Sequence, residues 1–427
     1  MKLVSGAPRR AVAACAVAAV VGGMFGGAVT PARAGTVEVL HWWTAGGEAK
    51  SVAELRRMLQ SQGHSLKDFT VAGGGGDSAI AALKVRVQAG DPPGAAQIKG
   101  PAIGEYGRMG VLANLDDIAA RQSWDSQLPG VVANVMKYQG HYVAVPVNVH
   151  RVNMMWINAD ALRRVNARPP QSWEDFFRVA DRLQRAGIVP VAHGGQPWQE
   201  LLLFENVALG VGGADFFRRA FVDLDGPTLN GPTMERVLTT FRRIKPYTDK
   251  ASVGRDWNKA TAMVMKGEAA IQFMGDWAKG EFRAAGQAPG KEFLCIPTPG
   301  TDRAYIFNID SFALFQLKDP TAMVAQSAFV STVMSPTFQE IFNLSKGSIP
   351  AVTGGDRQGF DRCSQESSAH FVASSLMKTA VPSVSSGMVQ NTEMEGAMKQ
   401  AVADFWNDDH VSAEATMGRL AALSRRK

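Results

Sequence analysis

Tryptophans and a thin set of polar side chains carry what chemistry this 427-residue chain offers. Trp42 and Trp43 close the run Val39-Leu40-His41-Trp42-Trp43, and Thr44-Ala45-Gly46-Gly47-Glu48 follows. Neighbouring strand residues point to opposite faces, so core packing accounts for one of these indoles more easily than for both. An indole face packs well on the C–H face of a pyranose, while carboxylate, amide and ammonium groups bind its hydroxyls. Spacing alone leaves the pair open between core and ligand platform. Glu48 is open in the same way, as a hydroxyl acceptor or as a first-turn helix residue favoured by the dipole. Trp257, in Arg255-Asp256-Trp257-Asn258, and Trp277, in Gly275-Asp276-Trp277, stand beside polar residues, which suits a pocket rim or plain packing.

Signatures of catalysis are sparse. Histidines 41, 64, 141, 150, 193, 370 and 410 include no HExxH pair, and each alone reads as structural or surface. There is no G-x-S-x-G elbow, no G-x-x-x-x-G-K-[ST] loop and no dinucleotide fingerprint. The glycines at 73–76 lack a following Lys-Ser/Thr and read as a turn or a backbone approach to a ligand. Nothing resembles a zinc cluster, and no cofactor is expected.

The composition, 46% apolar and 20% charged, excludes a disordered chain. At roughly 150 residues per domain the length suggests two or three domains. Four of the 45 basic residues (Lys2, Arg9, Arg10 and Arg33) lie in residues 1–34, which hold no acid; the remaining 41 face 39 acidic residues, a balance of +2. No basic groove for nucleic acid is indicated. Three of those basic residues precede the Ala/Gly/Val-rich stretch 11–29, and Ala32-Arg33-Ala34 offers small residues at a peptidase site. Residues 1–34 therefore read as a secretory signal peptide cleaved after Ala34, a membrane anchor being the alternative. Cys295 and Cys363 remain after cleavage, so an oxidising compartment permits one intramolecular disulfide, against two buried free thiols.

Strand and helix signals alternate from Val37 onward: a strand to Leu40, a helix over 48–62, a second strand over 69–71, a helix after Asp77 and a strand over 95–98. This predicts an α/β sheet with both faces covered. Residues 142–156 read as an extended passage to a second lobe, Ser172 opens a capped helix, and 304–315 is again strand-like, followed by helical sequence to about Leu344. Helices are expected around 393–406 and 413–423, and no flexible linker separates the lobes.

Five segments in this order resemble the periplasmic glucose/mannose-binding subgroup of the sugar-binding proteins of ABC importers. They are Val39 to Trp43 with Glu48; Gln97-Ile98-Lys99-Gly100-Pro101; Lys266-Gly267-Glu268-Ala269-Ala270 leading to Gly275-Asp276-Trp277; Asn308-Ile309-Asp310-Ser311; and Lys346-Gly347-Ser348-Ile349-Pro350. The resemblance implies a two-lobed periplasmic-binding-protein fold whose chain crosses a hinge several times. Its N-terminal lobe comprises 35–147 and 307–355, and its C-terminal lobe 148–306 and 356–427. It implies that Trp42 or Trp43 and Trp277 stack on a sugar ring, with Trp257 as a further wall. Glu48, Gln97, Lys99, Asp310 and Lys346 would bind hydroxyls, with Asn308 beside Asp310. Ser386 stands where related glucose binders usually have histidine, so one contact is lost or made through water. The implied protein is a periplasmic monomer, not an enzyme, that delivers a monosaccharide, glucose first, to an inner-membrane permease. A chemoreceptor is a further partner the resemblance allows. Another hexose, a pentose or a short oligosaccharide is the alternative ligand. A glycosidase using Glu48 and Asp310 as acid and base is the remote one. Replacing Trp277 or Asp310 is expected to weaken binding without loss of stability.

Overall fold

A computed structural model describes residues 34–355 and 357–426. Apart from Ala34, the expected leader lies outside the described residues. Strand Thr36–His41 places Val37, Val39 and Leu40 in the core and runs parallel to Ser65–Thr70 on one side and Ala95–Gln97 on the other. The second strand begins four residues before the expected Phe69, because backbone pairing along the whole of Thr36–His41 holds polar Ser65, Lys67 and Asp68 in the ladder. Antiparallel Ser311–Leu314 and Ala144–Pro146 complete a five-stranded sheet. Helices Gly46–Ser61 and Asp77–Gln88 cover it with Leu55, Leu59, Leu83 and Val87.

A second sheet orders Phe293–Pro297, Met154–Asn158, Ala269–Phe273 and Val189–Val191. It is packed by helix Trp173–Arg185, capped where Ser172 Oγ accepts the Asp175 N–H at 3.1 Å, and by helix Pro197–Phe217. Cys295 of strand Phe293–Pro297 is disulfide-bonded to Cys363 of helix Arg362–Leu376, with Cα atoms 6.2 Å apart.

The two sheets have separate hydrophobic cores, and the fold is a two-lobed α/β fold with interwoven lobes. A small third sheet, Ala380–Pro382, Tyr305–Asn308 and His150–Arg151, lies where the chain changes core. After Tyr142, which ends a strand of a separate two-stranded ribbon, the predicted extended passage is three short strands, Ala144–Pro146, His150–Arg151 and Met154–Asn158, one in each of these three sheets. Alternation along Tyr305–Asn308 sends Tyr305 and Phe307 into the first core and Ile306 into the second. Phe371 and Met388 also pack in the first core. The strand signal over 304–315 breaks at Ile309–Asp310, between Tyr305–Asn308 and Ser311–Leu314. The following helical stretch likewise breaks at Ser335, whose hydroxyl caps a new helix, Pro336–Lys346. The last helices are Thr392–Asn407 and Ala413–Ala422. Among the described residues no helix is long and apolar enough to cross a membrane.

Candidate ligand-binding site

The chain leaves strand Thr36–His41 with its two tryptophans in different roles. Trp43 is packed edge-on against Phe312 (5.5 Å) and tilted on Phe342 (5.2 Å), showing only part of its ring to a cavity. Trp42 lines the cavity with the Lys99 ammonium 5.2 Å from its ring. The glycine run supports it, since a Cβ at Gly76 would fall 2.8 Å from the indole. A Cβ at Gly74 or Gly75 would fall 2.8 or 3.1 Å from Trp198, and both glycines line the cavity, so the backbone approach predicted for this run is made to indoles at the cavity wall.

Glu48 sits in the first turn of helix Gly46–Ser61 and Lys346 in the last turn of Pro336–Lys346, and the two form an ion pair inside the cavity. Lys346 Nζ also lies 5.4 Å from the Trp43 ring. The helix break before Pro336 and the left-handed Gly347 (φ 93°) bring this lysine inward. Asp310 occupies the break between two strands, where its backbone leaves the ladder and its carboxylate meets His150 Nε2 at 3.0 Å. The other nitrogen of His150 is hydrogen-bonded to Asp276. Burial opposes the imidazolium, but the two carboxylates outweigh it and raise the His150 pKa above the usual imidazole value. Burial alone would push the Asp310 carboxyl up; His150, Lys346 and Lys99 hold it far below the usual carboxylate range. Burial in turn pulls the Lys99 ammonium down, against the attraction of Asp310 and Glu395.

Trp277 meets His150 edge-on at 5.1 Å and tilts toward Trp198 at 6.4 Å. Trp257 opens helix Trp257–Met265, and its carbonyl accepts Gln272 Nε2 at 3.0 Å. Both face the cavity. The loop bearing Ser385 and Ser386 is tied to buried Glu205 of helix Pro197–Phe217, whose carboxylate accepts Ser383 Oγ (2.8 Å), Ser385 Oγ (2.6 Å) and the Val384 N–H (2.6 Å). Burial pushes the Glu205 carboxyl up to about 7 despite these donors.

Of the ligand residues expected from the sequence, Trp42, Trp43, Glu48, Lys99, Trp257, Trp277, Asn308, Asp310, Lys346 and Ser386 all line this one cavity. Gln97 does not. Its strand pairing with Phe312 buries it completely, and its Oε1 accepts the Trp42 N–H at 3.4 Å, so it supports Trp42 from behind. Sequence reasoning missed His150, Trp198, Thr44 and Ser385. His150 gave no local signal, because its carboxylate partners lie 126 and 160 residues away. Trp198 did give one, following Gly194-Gly195-Gln196-Pro197 much as Trp277 follows Gly275. Among the described residues no group of three His, Cys, Asp or Glu side chains could hold a metal ion.

The cavity thus combines indole faces with fixed charges of both signs. Asn308 Oδ1 is buried in it without a hydrogen-bond partner among the described residues, an open acceptor. Such a lining holds a small neutral polyhydroxylated molecule. Asp310, kept ionised, has no proton to donate to a leaving group. Fold and site together define a two-lobed solute receptor.

The chain matches the bacterial extracellular solute-binding protein family over residues 67–327 and belongs to it. It is 41% identical over 401 residues to a probable sugar-binding periplasmic protein of Rhizobium meliloti, covering 94% of this chain and 96% of the relative. Among solved structures, a chitin oligosaccharide binding protein shares the fold with a TM-score of 0.77 at 16% identity, over 92% of this chain and 98% of that one. A bacterial solute receptor with a stated preference for β-D-galactopyranose does so with a TM-score of 0.77 at 17% identity, over the same shares. The class is that of a binding protein, not an enzyme.

Proposed function

We propose that this protein is a periplasmic receptor that captures a hexose, glucose first, in the cavity between its two cores and delivers it to an ABC import permease. The observation that carries the reading is the ionised Asp310 held by His150 among Trp42, Trp277 and Lys99. A carboxylate of that kind accepts two sugar hydroxyls while the indoles cover the ring faces. The sugar-binding description of the Rhizobium meliloti relative supports the substrate class. The lobes are 35–147 with 307–355 and 148–306 with 356–427, and the mature chain starts after Ala34. Contacts from both lobes favour the closed state, and only that differential affinity shifts the population. The permease reads the closed outer surface of a monomer, and a chemoreceptor is a second reader of the same surface.

Calorimetric titration of the purified protein, freed of bound sugar by unfolding and refolding, tests the reading against glucose, mannose, galactose and xylose. Saturable binding of glucose at micromolar concentrations, about −8 kcal/mol, is expected. Silence toward all four would overturn the monosaccharide assignment.

A further inference from the structure

A buried carboxylate stands behind the loop at 383–386, where Ser385 lines the cavity. Ser385 Oγ donates to Glu205 Oε1 at 2.6 Å, and Ser383 Oγ donates to the same oxygen at 2.8 Å. The other oxygen, Oε2, accepts the Val384 N–H at 2.6 Å and the Ser385 N–H at 3.4 Å. Four donors thus converge on a fully buried carboxylate, and none of these partners is a cation.

A serine hydroxyl has one proton to give and two lone pairs to offer. While Glu205 is ionised, Ser385 gives its proton to the carboxylate and has only lone pairs left for the cavity. Ser383 does not relieve it, because its own proton goes to the same oxygen and its Oγ accepts the Ser386 N–H at 3.2 Å. A proton bound to Oε1 reverses the bond: the carboxylic acid donates to Ser385 Oγ, and the serine O–H is released toward the cavity. Oε2 keeps its two backbone donors as the carbonyl oxygen of the acid, so the loop need not move.

Burial places this proton near neutrality, since it pushes the Glu205 carboxyl up to about 7. The charged groups around it are engaged elsewhere or exposed. On its own helix Glu200 is bonded to Asn407, and just beyond it Arg218 is bonded to Asp215. On helix Pro232–Ile244, packed against it, Arg242 donates to the carbonyls of Phe405 and Val411. On helix Thr392–Asn407 Lys399 pairs with Glu395, and Asp404 with Arg419. The other charged residues of these elements are exposed, and strand Ala380–Pro382 with the loop to Asn391 holds none.

We infer that Ser385 is a sugar-contacting residue whose polarity Glu205 sets: an acceptor toward a sugar hydroxyl while Glu205 is ionised, and a donor to it once Glu205 is protonated. Glu205 is then a positioning residue that fixes, without touching the sugar, whether the sugar must supply the hydrogen. The inference rests on the hexose reading above.

A sugar hydroxyl answers either polarity by rotating, whereas a C–F group only accepts. Titrations of glucose and its 2-, 3-, 4- and 6-deoxyfluoro analogues, at about pH 5.5 and about pH 8.5, on the unaltered protein, Ser385→Ala and Glu205→Gln, test it. For one analogue the loss of affinity relative to glucose should be at least tenfold at the higher pH, where a lone pair of Ser385 faces the fluorine, and less than threefold at the lower. Ser385→Ala and Glu205→Gln should each make that loss the same at both pH values. Glucose binding with fluorine losses that are independent of pH at every position would overturn the inference and leave the hexose reading intact. So would a pH-dependent loss that survives in either variant, since another group, His150 first, would then set it. Absence of glucose binding would overturn the hexose reading and this inference with it.

Discussion

Asp310 couples binding to stability at the level of a single residue. The resemblance implies that its removal costs affinity only, whereas His150, held between Asp310 and Asp276 with its pKa raised by both, ties the carboxylate to the fold as well. Asp310→Ala strips one partner from a buried pair, a change worth roughly 3–5 kcal/mol. Chemical denaturation should show that loss together with at least tenfold weaker sugar binding; an unchanged midpoint would mean that His150 is neutral in the fold. Trp277→Ala, which breaks no charge pair, should weaken binding at least tenfold and still unfold cooperatively. Unchanged affinity would make Trp277 a packing residue only. The pH dependence has a definite sign. The His150 pKa is raised in the fold, so its contribution is complete below the ordinary imidazole value of about 6.5 and is lost as pH rises through the folded value. The Asp310 pKa is depressed, so its contribution is present above about pH 4 and is lost as pH falls through the folded value. Thermal melts should therefore show Tm falling above about pH 6.5, more steeply than in His150→Gln. Parallel profiles would remove His150 from the account.

At the scale of elements, the site depends on places where regular structure stops. The strand break at Ile309–Asp310, the helix end at Lys346 and the loop at 383–386 each deliver a polar side chain that an uninterrupted element would keep in its ladder or on its surface. The loop is held by the Glu205 carboxylate besides its backbone bond from Ser383 to Phe307, and this makes the carboxylate testable. Glu205→Gln keeps the shape but replaces an acceptor oxygen with a donor, which opposes the Val384 N–H or the serine hydroxyls. Sugar affinity should fall about tenfold as Ser385 and Ser386 lose their fixed positions, and proteolysis at the loop should quicken. An unaltered Kd would show that the loop holds its shape without the carboxylate. The sequence displayed these elements better than their ends. Apolar spacing at Val52, Leu55 and Leu59 marked the helix Gly46–Ser61, and Ser172 marked the start of Trp173–Arg185. The three-way division of residues 142–156 among three sheets had no local mark, because strand partners are chosen by distant segments.

For the whole molecule, the proposed function requires a change in the relation of two cores joined through the strands at 150–151, 305–308 and 380–382. Contacts across the cleft include close packing of Gly74 and Gly75 on Trp198 and a set of polar pairs. Asp77 pairs with Lys399, Glu105 accepts from Thr392 at 2.9 and 3.0 Å, and Glu281 accepts the Gly47 N–H at 2.9 Å. Such contacts release more readily than an apolar interface, which suits a cleft that opens. Solution scattering should show a smaller radius of gyration on addition of glucose, and an unchanged radius would count against closure. The Cys295–Cys363 bond closes a separation of 68 residues and stabilises by about 4 kcal/mol through loop entropy. Cys363→Ser should lower stability by that order without altering sugar affinity; coincident reducing and non-reducing denaturation curves would show that the bond contributes nothing. The sequence by itself showed the α/β class through local periodicity, pointed to the tryptophans and charged residues of the pocket through a family resemblance, and left Cys295 and Cys363 with one possible partner each after residue 34. Tertiary structure alone decided that His150 lies between two buried carboxylates that raise its pKa, that Gln97 stands behind Trp42 instead of in the cavity, and that a second chamber opens past Ser386. Each of these depends on groups more than 50 residues apart meeting in a buried space, where desolvation and distance set the chemistry.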